Sequence, residues 1–106
     1  MLLVNAFSLN MLPADFAGSI QVRPAGLDEA RAIVAAGAPS AVGHADTAAV
    51  LSGLLGTVVP AARSTVALVQ GHEILVAQYT GPRLPEGATT LPAGASITFR
   101  VVSIIG

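Results

Sequence analysis

Two apolar stretches in the first half of this chain repeat at helical spacing and stop at glycines, with short Val-, Leu- and Ile-rich runs on either side of them. The first helical stretch is Leu27 to Ala36. Asp28 and Glu29 sit in its opening turn, at the positive end of the helix dipole, and Gly37 ends it. Leu27, Ala30, Ile33 and Val34 form its inward stripe. The second runs from Ala45 to Leu55 with Gly56 as its stop, and Ala48, Leu51, Leu54 and Leu55 face the core. Around them, Leu2 to Phe7, Ser19 to Arg23 and Ser96 to Ile105 carry strand patterns. Ser64 to Val69 and Glu73 to Tyr79 are separated by Gln70-Gly71-His72, the pattern of a hairpin. In the last strand Ile97, Phe99 and Val101 share one face, and Thr98 and Arg100 the other. Pro39 to Gly43 is a short extended segment, whereas Ser8 to Gly18 and Thr80 to Gly94 are loops and Pro24-Ala25-Gly26 breaks a strand. The order of elements predicts an α/β fold over residues 1–106, a single domain with a central mixed sheet of about five or six strands and two main helices.

A chain of 106 residues can bury roughly two-thirds of its unfolded surface, so a single core is affordable in size. Its hydrophobic fraction of 53% includes twenty alanines, which add little core volume. Five Arg, no Lys, six acids and two His leave it near neutral, without the basic stripe that duplex nucleic-acid binding uses. A small anionic ligand needs only a few placed donors and stays open. The uncharged stretch from Thr47 to Ala62 contains glycines and a proline and is too short for a bilayer span. The start lacks the basic region of a secretory signal, and the absence of Cys removes disulfide, thiolate and zinc–sulfur chemistry. The expected location is cytoplasmic, with no membrane partner.

Chemistry concentrates at Val42-Gly43-His44-Ala45-Asp46-Thr47, where an extended segment enters a helix. The first amides of a helix have no partners within it and, with the dipole, form an anion site. A histidine there can stand beside a phosphate and protonate a departing oxygen, because an imidazole changes charge near neutrality. Equally, His44 could serve only its own helix terminus. Asn5, Ser8 and Asn10 leave the first strand as small polar groups that could hold phosphate or ribose oxygens, or could simply cap a turn. Arg63 precedes a strand. Arg83 and Glu86 lie in Gly81-Pro82-Arg83-Leu84-Pro85-Glu86-Gly87, where the arginine fork suits phosphate and the carboxylate could orient it. The alternative is a solvated ion pair worth less than about 1 kcal/mol. His72 reads as a solvated turn residue, and Arg23, Arg31 and Arg100 as surface charges. No acids are spaced for a metal site or a carboxylate pair, so neither metal nor cofactor is expected. An acid–base enzyme using one His and several phosphate donors is left.

Together these segments resemble the viral and phage ring nuclease family, the type III anti-CRISPR proteins that destroy cyclic tetra-adenylate. The resemblance spans nearly the whole chain. It rests on Asn5-Ala6-Phe7-Ser8-Leu9-Asn10-Met11-Leu12, on Ala41-Val42-Gly43-His44 with Asp46-Thr47, and on Leu51-Ser52, Leu54-Leu55-Gly56 and Val58-Val59-Pro60. Arg63, Arg83-Leu84-Pro85-Glu86-Gly87 and the apolar last strand complete it. The resemblance implies a homodimer with a pocket across its two-fold axis, cyclic tetra-adenylate as ligand, and metal-independent cleavage by attack of a ribose 2′-hydroxyl on the adjacent phosphorus. It makes His44 the general acid, Arg83 the group stabilising charge on the phosphate, and Glu86 the residue holding or polarising groups nearby. Asn5, Ser8, Asn10 and Arg63 would bind the ring backbone and ribose, with Thr47 and the amides after His44 completing the anion site. Two departures stand out. Gly81-Pro82 replaces a shorter, more basic link in the archaeal viral members, and the lack of Lys leaves the pocket to arginines and amides. A non-cleaving sponge with the same pocket, and a structural or nucleic-acid-binding viral protein, are the competing classes; near-neutral charge disfavours the last.

Overall fold

A computed structural model describes residues 1–106, and its organising element is the Ile74–Ala77 run, whose four side chains are all buried. These residues belong to β3 (Glu73–Thr80), which lies between β1 (Leu2–Val4) and β4 (Ser96–Ile105), with β2 (Ser19–Ala25) outside β4. The β1–β3 pair is parallel, with Leu2 opposite Ile74, while β3–β4 and β4–β2 are antiparallel. The sheet is therefore mixed, as expected from the order of elements.

Two helices cover one face: α1 (Leu27–Ala35) and α2 (Ala45–Leu55). Their Ala30, Val34, Ala48, Leu51 and Leu55 pack with Leu3, Leu75, Ala77, Phe99 and Val101 of the sheet. Leu27 departs from the anticipated stripe and is 38% exposed. Gly37 and Gly56 follow the helices with φ of 102° and 67°, the left-handed backbone for which glycine carries no Cβ penalty. On the opposite face, Val4, Ile74, Val76, Val102 and Ile104 form a second cluster with Leu68, roofed by Phe7, Met11, Leu12 and Phe16 from the loop after β1.

The sheet has four strands rather than five or six. Beyond β1 the ladder continues only as isolated parallel bridges, Leu3 to Ser40 and Val42 to Ala61. The extended Pro39–Gly43 segment is thus present but never becomes a strand. Ser64–Val69 forms no hairpin either, because its would-be place beside β3 is taken by β1 on one edge and β4 on the other. Its backbone turns instead to the first loop, where Leu68 donates its N–H to the Met11 carbonyl at 2.7 Å. β1 stops at Val4, and Asn5 to Phe7 leave the sheet. Pro24, expected to end its strand, lies within β2, which tolerates the missing donor because it is an edge strand. No helix is long and apolar enough to cross a membrane.

Candidate functional site

The bridge between Val42 and Ala61 holds the chain extended up to the mouth of α2, so His44 becomes the residue that starts the helix. Its backbone is extended (φ −119°, ψ 127°) and its carbonyl accepts the Ala48 N–H at 3.0 Å. The imidazole makes no capping bond and is exposed, so it is uncommitted to its own helix. Asp46 does not close on the helix amides either; its Oδ1 accepts the N–H of Gly87 at 3.1 Å. Thr47, one residue on, is the buried polar side chain of the core.

Two clefts meet at His44, which is the one residue lining both. The larger, about 710 Å³, is bounded by Asp46, Thr47, Tyr79, Arg83, Leu84, Pro85 and Glu86. The second, about 490 Å³, is bounded by Asn5, Met11, Gly43, Arg63, Ser64 and Thr65 among others. Within the larger, Arg83 and Glu86 form no ion pair; the chain's salt bridges are Arg23–Glu29 and Arg31–Asp28. Arg100 is bonded to Gln78. That leaves Arg63 and Arg83 as the guanidinium groups with no side-chain partner, one in each cleft, with His44 between them. Arg63 is steadied only by its Nε–H donation to the Gly43 carbonyl.

Of the residues anticipated from sequence, His44, Thr47, Arg83 and Glu86 share the first cleft, and Asn5 and Arg63 join His44 in the second. Ser8 and Asn10 are not brought there. The Ser8 hydroxyl accepts the Asn10 N–H at 3.2 Å and so caps the 3₁₀ turn Leu9–Met11, while Asn10 lines a separate apolar hollow with Leu9, Leu12 and Phe16. His72 is exposed as expected, but it closes a local turn with Val69 rather than a hairpin, its Nδ1 accepting the Val69 N–H. No sequence motif singles out Tyr79, Ser64 or Thr65 for a role, and Asp46 is marked only by its place beside His44. Tyr79 carries a signal in being the sole tyrosine.

A four-stranded mixed sheet with two helices on one face, and a free histidine between two arginine-bearing clefts, define the class as a small α/β protein with one composite polar site. The chain belongs to the STIV B116-like family, which it matches over residues 1–94. It is similar in structure to B116 of Sulfolobus turreted icosahedral virus, with 28% identity, a TM-score of 0.78, and coverage of 96% of this chain and 97% of that one. No curated protein matches it.

Proposed function

We propose that this protein is a metal-independent ring nuclease that cuts cyclic tetra-adenylate to linear diadenylate ending in a 2′,3′-cyclic phosphate, and so counteracts type III CRISPR immunity. The observation that carries this reading is the position of His44, alone common to two clefts that each hold an arginine without a partner. A phosphodiester lying across His44 meets positive charge on both sides and unpaired helix amides beneath.

In the cleavage step a ribose 2′-hydroxyl attacks the adjacent phosphorus. The 2′-O–P bond forms as that hydroxyl releases its proton to solvent, and the P–O5′ bond breaks. His44, as imidazolium, transfers its proton to the departing O5′. Arg83 stabilises charge on the phosphoryl oxygens and Glu86 orients groups beside it. Arg63 and Asn5 hold the neighbouring ring backbone. Removing a general acid of this kind slows a reaction by about a hundred- to ten-thousandfold.

The four-fold phosphate ring suits a two-fold homodimer, in which each copy supplies one site. Val22, 52% exposed, and Ile20, 38% exposed, lie on the sheet face away from the helices and supply apolar surface for a second copy.

The test is purified protein with cyclic tetra-adenylate in excess chelator, with products separated by chromatography and mass measured by light scattering. Diadenylate should appear with wild type and nearly vanish with His44→Ala. Intact ring protected stoichiometrically over hours would replace the nuclease with a sponge, and wild-type rates in His44→Ala would remove the assigned acid.

A further inference from the structure

Arg83 and Glu86 come from an exposed loop, yet the loop is tied down at both ends. Before Arg83, the Tyr79 hydroxyl donates to the Pro82 carbonyl, so the end of β3 braces the residue that leads into the arginine. After Glu86, the Gly87 N–H reaches the Asp46 carboxylate on the first turn of α2 at 3.1 Å. Between these ties, Ala88 donates to the Pro85 carbonyl at 3.1 Å, closing a turn with Glu86 at its corner and Gly87 at φ 77°. Asp46 and Tyr79 line the same cleft as His44. A first-turn carboxylate ordinarily serves the helix amides or the dipole; this one is committed to a loop from the other half of the chain.

We propose that Asp46 and Tyr79 are positioning residues, a clasp that holds Arg83 and Glu86 over His44 by fixing the loop between Pro82 and Gly87 to β3 and α2. The proposal rests on the nuclease reading for its consequence in rate, but the clasp itself is a statement about loop order. A misplacement of a catalytic group by about 1 Å can cost two orders of magnitude in rate. Loss of either tie should therefore slow ring cleavage by roughly ten- to a hundredfold while the core stays folded. Asn keeps the acceptor oxygen that Gly87 uses and removes the charge, so it separates the clasp from any helix-dipole role of Asp46.

The experiment uses the full chain and three variants, Asp46→Ala, Asp46→Asn and Tyr79→Phe, each read twice. Amide hydrogen exchange follows the segment 81–88, and single-turnover assays follow cyclic tetra-adenylate. Faster exchange and slower cleavage in Asp46→Ala and Tyr79→Phe, with both largely restored in Asp46→Asn, are expected. Adding Asp46→Ala to Arg83→Ala should cost little more than Arg83→Ala alone, because the clasp acts through the loop. Unaltered exchange in both Asp46→Ala and Tyr79→Phe overturns the clasp, as does an Asp46→Asn variant as slow as Asp46→Ala. If wild type leaves the ring intact, the nuclease reading fails separately, and the exchange data still decide whether the clasp exists.

Discussion

Arg63 donates its Nε–H to the carbonyl of Gly43 at 3.3 Å, so the residue immediately before His44 is held by the guanidinium that faces the second cleft. This leaves the remaining guanidinium donors free for a ligand. Arg63→Ala should weaken binding of the cyclic ring by about ten- to a hundredfold, the loss of a charge-assisted hydrogen bond, with a smaller change in the rate at saturation. His44→Ala should show the reverse pattern. Titrations of the two variants with intact ring, set beside single-turnover rates, distinguish binder from acid. An Arg63→Ala protein with wild-type affinity would sink the role given to the second cleft.

Gly81 starts the loop that carries Arg83, with φ of 141°, and a Cβ there would lie 2.7 Å from the Cα of Ala95. Both the backbone conformation and the neighbouring backbone exclude a side chain. Gly81→Ala should cost about 1–3 kcal/mol in unfolding free energy. The displaced loop should also lower ring cleavage beyond what the folded fraction explains. Denaturant titration and activity on the same sample provide the comparison.

Leu51 is fully buried at the centre of α2, between the sheet and α1. Leu51→Ala should destabilise the fold by about 2–5 kcal/mol through lost burial and the cavity left behind. His44→Ala, at an exposed position with no bond to break, should stay within about 0.5 kcal/mol of wild type. Chemical denaturation curves for the pair would reveal whether the site can be altered without loosening the core.

Arg23 grips Glu29 with two hydrogen bonds, of 3.0 and 2.7 Å, at the surface between β2 and α1. Those hydrogen bonds, opposed by partial desolvation and aided by charge attraction, hold the Glu29 carboxyl below its ordinary value. Since the folded pKa is the lower one, the pair's contribution is complete above the unfolded Glu value and is lost as pH falls through the folded value. Arg23→Ala should move the Glu29 titration upward, as followed by NMR, and flatten the acid side of the stability profile. A Glu29 titration unchanged by Arg23→Ala would contradict this.

Much of the helical half was legible because its signals are local. Asp28 and Glu29 open α1, and α2 runs from Ala45 to Leu55 with left-handed Gly56 behind it, as its spacing predicts. The place of His44 at the helix mouth is equally local, being set by one short motif. The β half was harder. Ser64 to Val69 has strand composition, but both sides of β3, its expected partner, are taken, and Pro24 survives inside β2 because its outer edge needs no donor. Ser8 and Asn10 carried two local readings, and turn geometry took them for capping and for a separate hollow.

Sequence alone determined the alternation of strand and helix, the glycine stops, and the presence of a histidine where helix amides are unpaired. Those follow from backbone preferences and side-chain spacing within about a turn or a strand. Only the tertiary structure decided that Leu2 pairs with Ile74, that β3 has no vacant edge, and that Arg63, Arg83 and Glu86 gather around His44. Such pairings join residues far apart in the chain. Their choice depends on which faces can be buried together and which backbone edges remain unpaired, and no local stretch of sequence contains that competition.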